Sequence, residues 1–180
     1  MVYVLLGTGF EEIEALAPVD LLRRAGIEVR TVGLNGKIVY GSHAIGVEAD
    51  ITIDELDVGD AEMIVLPGGL GGVASIRGCR KALDAVKAVH AAGKVVAAIC
   101  AGPTVLADLG LLTGVKATCY PGQIPNMKDA RVVENAACVT DGRIITGTSA
   151  GTAIPFALAL IESLKGPETA GAIADQIVIR

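Results

Sequence analysis

Cys100 is the residue of this chain best placed for chemistry. It closes the apolar run Val95-Val96-Ala97-Ala98-Ile99 and is followed at once by Ala101-Gly102-Pro103. A buried strand that turns into a helix through such small residues has the layout of a nucleophile elbow, with sulfur in place of the serine oxygen. A thiol at a helix N-terminus has its thiolate stabilised by free N–H groups and by the helix dipole, so Cys100 is expected to ionise below an ordinary cysteine. Cys79, Cys119 and Cys138 occupy no such turn and read as small hydrophobic side chains. With 4 cysteines and no C-x-x-C pair there is no disulfide scaffold or zinc spacing, and the thiols are expected to be reduced.

Two glycine-bearing loops could serve that cysteine. The first is Gly7-Thr8-Gly9-Phe10-Glu11-Glu12-Ile13-Glu14. Thr8-x-x-Glu11 fits a capping box, and acidic residues in a first turn complement the helix dipole, which accounts for Glu11 and Glu12. Glu14 differs, because at helical spacing it shares a line with Phe10, Ala17, Leu21 and Ala25, the stripe that faces a sheet. A carboxyl buried there has a raised pKa and suits an acid or proton shuttle. A helix boundary shifted by a few residues moves Glu14 off that stripe, so the residues alone leave a structural role open. The second loop is Leu66-Pro67-Gly68-Gly69-Leu70-Gly71-Gly72. Gly69 to Ala74 formally matches G-x-G-x-x-A, but a dinucleotide site wants an acidic residue at the end of the next strand, and that strand ends in Ile99-Cys100. These glycines read instead as a close approach of backbone N–H groups to a substrate oxygen, or as an ordinary tight turn. His43 falls on a hairpin and His90 inside a helical pattern. Both read as surface residues, and no Cys-His pair is visible.

The elements that must position these residues alternate between short β-branched runs and helical patterns. Val2 to Leu6 reads as a buried strand, followed by a helix from about Glu11 to Ala25 with Gly26 as its C′ residue. Ile27 to Leu34 is a second strand. Lys37 to Tyr40 and Ala44 to Glu48 read as a hairpin turned at Gly41-Ser42, and Met63 to Leu66 as a buried strand ending at Pro67. A helix from about Arg80 to Ala92 precedes the strand Lys94 to Ile99, and Cys100 leads into a short helix. Short strands fall near Lys116, Ala137 and Arg143, and a long helix runs from about Thr152 to Lys165, ended by Gly166-Pro167. Strands buried on both faces and separated by helices argue for a parallel sheet between helical layers. Ligands of such folds sit outside the carboxyl ends of the strands, where the loops of Glu14, Gly69 and Cys100 fall.

Composition excludes several classes of function. The chain has 180 residues, 52% hydrophobic and 19% charged, with 3 Tyr, 2 Phe and no Trp. The core must be aliphatic, and few aromatic platforms exist on which bases could stack. A net charge of −5 and no Lys/Arg run argue against nucleic acid and anionic membranes as partners. The opening MVYVLLGTGFEEIEAL has no basic start and meets Glu11 after too short an apolar run for a secretory signal. The longest apolar stretches, Val95 to Ala107 and Ala150 to Ile161, are too short to span a bilayer, so a cytoplasmic protein is expected.

In order and spacing, Glu11-Glu12-Ile13-Glu14, Leu66-Pro67-Gly68-Gly69 and Ala97-Ala98-Ile99-Cys100-Ala101-Gly102-Pro103 resemble the ThiJ/PfpI superfamily, and within it the branch of the Parkinson-disease deglycase and its bacterial YajL-like relatives. The resemblance covers essentially the whole chain, including the run from Pro18 to Ile27 and the Gly151-Thr152 start of the long helix. It implies a flavodoxin-like (class I glutamine amidotransferase-like) three-layer α/β sandwich with a mostly parallel sheet, a single domain over residues 1–180, and a homodimer. The reactive cysteine maps to Cys100, a protonated partner carboxyl to Glu14, and the oxyanion donors to the backbone N–H groups of Gly69 and Ala101, with Gly68 and Tyr120 lining the site. Many relatives carry a histidine before a proline on the loop after the next strand, where this chain has Tyr120-Pro121. Without it, peptide hydrolysis lacks its base and its proton donor, so an amidase or peptidase reading is the weakest.

The reaction expected is conversion of reactive 2-oxoaldehydes, methylglyoxal to lactate in the manner of a glyoxalase III, or deglycation of early adducts on protein groups. It runs through a Cys100 hemithioacetal with Glu14 as acid and base, and requires no metal, glutathione or other cofactor. The competing expectation is a redox sensor or redox-regulated chaperone in which Cys100 is oxidised to a sulfinate that Glu14 stabilises.

Overall fold

A computed structural model describes residues 1–179. In chain order its elements are β1 (Val2–Leu6), α1 (Glu12–Arg24), β2 (Val29–Gly33), β3 (Ile38–Tyr40), β4 (Gly46–Glu48), β5 (Ile51–Thr52), β6 (Met63–Leu66), α2 (Leu70–Gly78), α3 (Arg80–Ala91), β7 (Val95–Ile99), α4 (Pro103–Asp108), β8 (Lys116–Ala117), β9 (Arg131–Val132), β10 (Cys138–Asp141), β11 (Ile144–Gly147), α5 (Ala153–Lys165) and α6 (Pro167–Gln176). Seven strands form one sheet in the order β10-β11-β7-β6-β1-β2-β5. Every neighbouring pair is parallel except β10 with β11.

The uninterrupted apolar runs arise because the sheet is covered on both sides. Val2, Val4 and Leu6 of β1 pack with Leu22 of α1 and Phe156 and Leu160 of α5, while Ala170 and Ile173 bring α6 to the same core. Tyr3 and Leu5, pointing the other way, pack with Val73 and Ile76 of α2, Val86 and Val89 of α3, and Leu106 of α4. Each fully buried side chain of this size contributes about 1.5–3 kcal/mol. Three layers result, as expected.

Gly26 ends α1 as the C′ residue at φ +67°, with Gly26 N–H donating to Arg23 O at 3.0 Å and Ile27 N–H to Leu22 O at 3.0 Å, a Schellman closure. The hairpin of β3 and β4 forms with Tyr40 opposite Gly46, leaving loop 41–45 at its tip. That tip is stapled to the loop before α1: Gly9 N–H donates to Tyr40 O and Ser42 N–H to Phe10 O, each at 2.8 Å.

Three differences from the sequence reading have physical causes. Helix α2 occupies a stretch read as a glycine turn. Its glycines disfavour an isolated helix, yet a Cβ at Gly72 would lie 2.7 Å from Phe10 Cα, so they are what lets α2 pack on the loop before α1. Gly166-Pro167 ends α5 as expected but also starts α6, because Pro is favourable at the first helical position. The Thr8-x-x-Glu11 capping box does not form. The N-cap is Glu11 without a side-chain cap, Thr8 Oγ1 donates to Asn35 Oδ1 at 3.2 Å, and the Glu11 carboxylate accepts from Ser42 Oγ at 3.0 Å.

Candidate functional site

Strands β7, β6 and β1 are neighbours in the sheet, so Cys100, Gly68 and the start of α1 meet at one edge. The strand order reverses between β1 and β6, which is where open α/β sheets form their crevices. Cys100 has φ +63°, a left-handed conformation that costs a non-glycine residue about 1–3 kcal/mol. The elbow is pinned from both sides: Cys100 N–H donates to Gly147 O at 3.0 Å, and Cys100 O accepts from Tyr120 N–H at 2.9 Å.

Glu14 faces the sheet, as the helical stripe implies, and is only 1% exposed. Its Oε2 accepts the Gly68 N–H at 2.9 Å, and Oε1 is buried with no partner of ordinary hydrogen-bond geometry. Pro18, one helical turn on, has no N–H to offer the Glu14 carbonyl, so α1 is locally loosened at this residue. Burial lifts the Glu14 pKa from the usual carboxylate range to about 7, against the pull of the Cys100 thiol and of the Gly68 and Ala150 N–H groups.

Burial also pushes the Cys100 thiol up, to about 12, reinforced by the Glu14 carboxylate and opposed by the N–H groups of Ala101 and Gly69 directed at its sulfur. This reverses the expectation of a thiol that ionises below an ordinary cysteine. A helix terminus lowers the pKa of a lone thiol, whereas this thiol faces a carboxylate in a buried site. Thiol and carboxyl titrate as a pair, and above about pH 7 the pair holds one proton. The thiolate exists when that proton is on Glu14, and the two N–H groups favour that arrangement.

The glycines between them have fixed tasks. A Cβ on Gly68 would lie 2.4 Å from Glu14 Oε2 and 2.7 Å from Cys100 Cβ. Gly69, at φ +81°, is the N-cap of α2, and its N–H points at the sulfur. Cys100, Gly69, Ala101 and Tyr120 line a cleft of about 550 Å³, which Glu11, Ser42 and His43 also reach. Glu14 is not on its wall. Of the residues expected at the site, Cys100, Gly69, Ala101 and Tyr120 line the cleft, whereas Gly68 lies between Glu14 and Cys100 and is not on its wall; Tyr120 is half-exposed at the mouth, its phenol without a hydrogen bond among the described residues.

The sequence reading missed a second cluster. Glu12, read as a first-turn acid complementing the dipole, is buried and holds the hairpin tip. Its Oε1 accepts the His43 N–H at 2.7 Å, and its Oε2 meets His43 Nδ1 at 2.9 Å and Ser42 Oγ at 3.1 Å. Burial raises the Glu12 pKa but these bonds outweigh it and hold it at about 2. His43 is pushed up by its bond to Glu12 and by the Glu11 charge. His43 is exposed, as expected, yet it lies on the wall of the Cys100 cleft. The only signal in the sequence is Gly41: a Cβ there would lie 2.3 Å from Glu12 Oε1, so the carboxylate fits because residue 41 has no side chain. Glu11, Glu12 and His43 bring one donor atom each within 4.8 Å of one another, but both Glu12 oxygens and His43 Nδ1 are already engaged in hydrogen bonds, so the cluster reads as the staple of the hairpin tip.

Fold and site together define a class: a flavodoxin-like sandwich of the class I glutamine amidotransferase kind, with a cysteine on a strand-to-helix elbow against a buried carboxyl. Residues 1–163 match the DJ-1/PfpI family, and the chain belongs to it. It is 36% identical to Protein dj-1beta of Drosophila melanogaster over 98% of this chain and 95% of that one. The crystal structure of that protein superposes with a TM-score of 0.95, covering 99% of this chain and 97% of the other. The chain is 30% identical over 91% of its length to a Pyrococcus abyssi protein named a deglycase, of which it covers 99%. A structure described as oxidized DJ-1 of Toxoplasma gondii, 36% identical, superposes with a TM-score of 0.94 over 98% of this chain and 97% of that one. Among the described residues no helix is long and apolar enough to cross a membrane.

Proposed function

We propose that the protein is a glutathione-independent glyoxalase or deglycase-type cysteine enzyme that converts 2-oxoaldehydes, such as methylglyoxal, to hydroxy acids, free or as early adducts on protein groups. The observation that carries this reading is the Cys100 thiol facing the buried Glu14 carboxyl while two backbone N–H groups are directed at the sulfur. The deglycase name of the Pyrococcus relative supports it.

In the proposed reaction the proton of the pair resides on Glu14, and the Cys100 thiolate attacks the aldehyde carbon. The sulfur–carbon bond forms, and the carbonyl electrons move to an oxygen held by the Gly69 and Ala101 N–H groups. That oxygen takes up the proton held by Glu14, which gives a hemithioacetal and leaves Glu14 ionised. The ionised Glu14 then removes the proton on the sulfur-bound carbon and returns it to the neighbouring carbon through an enediol, leaving a thioester. Water cleaves the thioester to lactate and the thiol. Lactate formation from methylglyoxal by wild type and Cys100→Ser, without added metal or glutathione, tests this. Wild type should turn over many times per chain and the serine variant should lose at least ~10²-fold; equal rates sink the proposal.

The proposal includes one domain over residues 1–180, a cytoplasmic setting and a homodimer. Exposed Ile13 of α1 and Ile38, Tyr40 and Ile45 of the hairpin supply apolar surface for a second copy to cover. Light scattering that shows only an 18.3 kDa species contradicts the dimer. A second reading, redox sensing, rests on the same donors, since a Cys100 sulfinate would accept from Gly69 and Ala101 and from a protonated Glu14. It differs in reacting once per oxidation instead of turning over.

A further inference from the structure

We infer that His43, reaching the cleft from the hairpin tip, is a second proton-transfer residue of this site, acting on the oxygens of the bound 2-oxoaldehyde. The inference rests on the proposed glyoxalase chemistry and names a residue beyond the Cys100–Glu14 pair.

The proton-transfer groups of the site differ in what they can reach. Glu14 is 1% exposed and absent from the cleft wall, so it serves the sulfur, the attacked group and the carbon next to it. A 2-oxoaldehyde carries two adjacent oxygens. The Gly69 and Ala101 N–H groups attend the one on the attacked carbon, and the ketone oxygen needs its own donor once the enediol forms. Apart from Cys100, the cleft-lining groups that can exchange protons are Glu11, His43 and Tyr120. Glu11 already accepts from Ser42, and the Tyr120 phenol, half-exposed at the mouth, has no hydrogen bond among the described residues to orient it.

His43 is built for the task. Its Nδ1 is held by Glu12 Oε2 at 2.9 Å, and its backbone N–H by Oε1 at 2.7 Å. A buried carboxylate that fixes one ring nitrogen is how an imidazole is oriented as an acid or base. Nε2 makes no hydrogen bond among the described residues. The charged groups facing the ring are Glu12 and Glu11 of the α1 start, both of which favour its protonated form.

The proton inventory closes. From the hemithioacetal, the C–H bond next to sulfur breaks and its proton goes to ionised Glu14. The electron pair forms the carbon–carbon double bond, and the ketone oxygen takes a proton from His43 Nε2. In the second half Glu14 returns its proton to the former ketone carbon, and the hydroxyl on the sulfur-bound carbon gives its proton back to Nε2 as the thioester carbonyl forms. Nothing is oxidised or reduced by an outside reagent.

The test uses His43→Asn, because the asparagine amide can keep the Nδ1 bond to Glu12 while removing Nε2, so the hairpin tip stays in place. Lactate formation from methylglyoxal is measured against pH, with Cys100 alkylation as an independent report on the site. The expected result is a kcat lowered about 10²-fold with KM within about twofold, loss of the wild-type decline on the alkaline side, and an unchanged alkylation rate. His90→Asn, on α3, should match wild type. A His43→Asn enzyme with wild-type kcat and pH profile overturns the inference, as does a fall in kcat matched by an equal fall in alkylation, which marks a structural role. His43→Gln repeats the comparison should the asparagine variant fold poorly. If wild type itself forms no lactate, the proposed function fails and takes this inference with it.

Discussion

The Glu14 carboxyl is anchored to Gly68: Oε2 accepts its backbone N–H at 2.9 Å, and a Cβ on the same residue would lie 2.4 Å from that oxygen. The same Cβ would lie 2.7 Å from Cys100 Cβ, so a methyl group at residue 68 has to part the two groups that share the proton. Gly68→Ala should therefore lower lactate formation about 10²-fold, the usual effect of an ångström-scale misplacement, and cost about 1–3 kcal/mol through overpacking. Steady-state rates and a urea melt check both. A variant that is less stable but fully active contradicts this account of the pair.

Glu14→Gln keeps size and an acceptor for the Gly68 N–H but cannot exchange a proton. Activity should fall about 10²- to 10⁴-fold. Stability should move the other way. The native carboxyl, with pKa about 7 against 4.5 for the ordinary group, binds more protons than the unfolded chain between those values. The Glu14 contribution to wild-type stability therefore falls as pH rises from about 4.5 through 7 and is level above. Removing the ionisable group abolishes that slope, so the glutamine variant should be more stable than wild type above neutrality, by up to ~3 kcal/mol, and similar in acid. Urea melts across this range decide it; a wild type that gains stability with rising pH there refutes the raised pKa.

The contrast between Glu14 and Glu12 shows how far the sequence could be read. The sheet, the elbow and the Cys100 loop were legible because each depends on local pattern: an apolar run, a helical period, a turn of small residues. Glu14 was legible because its helical phase alone points it at the sheet. Glu12, two residues earlier, looks like an ordinary first-turn acid, and its partner His43 is 31 residues away across a hairpin. The docking of that hairpin on the start of α1 is tertiary, and no period announces it. The coupled titration of Cys100 was hidden for the same reason: the helix-terminus argument concerns one element, whereas the pKa is set by burial between three.

Tyr120→Phe should retain most of the activity. Tyr120 is 50% exposed, and its contribution to the elbow is its main-chain N–H, which donates to Cys100 O at 2.9 Å and survives the substitution. A kcat/KM within about threefold of wild type is expected, since loss of an exposed side-chain contact removes little transition-state stabilisation. Should Tyr120→Phe be the inactive variant while Glu14→Gln turns over, the phenol belongs in the catalytic set and the pair does not.

Cys100 should be the first thiol alkylated, with a pH dependence set by the pair and not by an isolated cysteine. Cys119 and Cys138 are pushed up to about 11 by burial, with no carboxyl to take their protons. For Cys100, the second proton of the pair leaves near pH 7, where Glu14 titrates, and the remaining proton then moves between carboxyl and sulfur. The thiolate fraction therefore rises through about pH 7 and stays level beyond it, giving an alkylation rate that steps up near neutrality and then flattens. In Glu14→Gln the step near pH 7 should vanish, because no second group is left to hold the proton. Stoichiometric iodoacetamide labelling with peptide mapping across this range measures both effects. Labelling of Cys79, Cys119 or Cys138 ahead of Cys100 at neutral pH would falsify the elbow reading. A Cys100 rate that climbs steadily past pH 8 in wild type would show that its thiol ionises without Glu14.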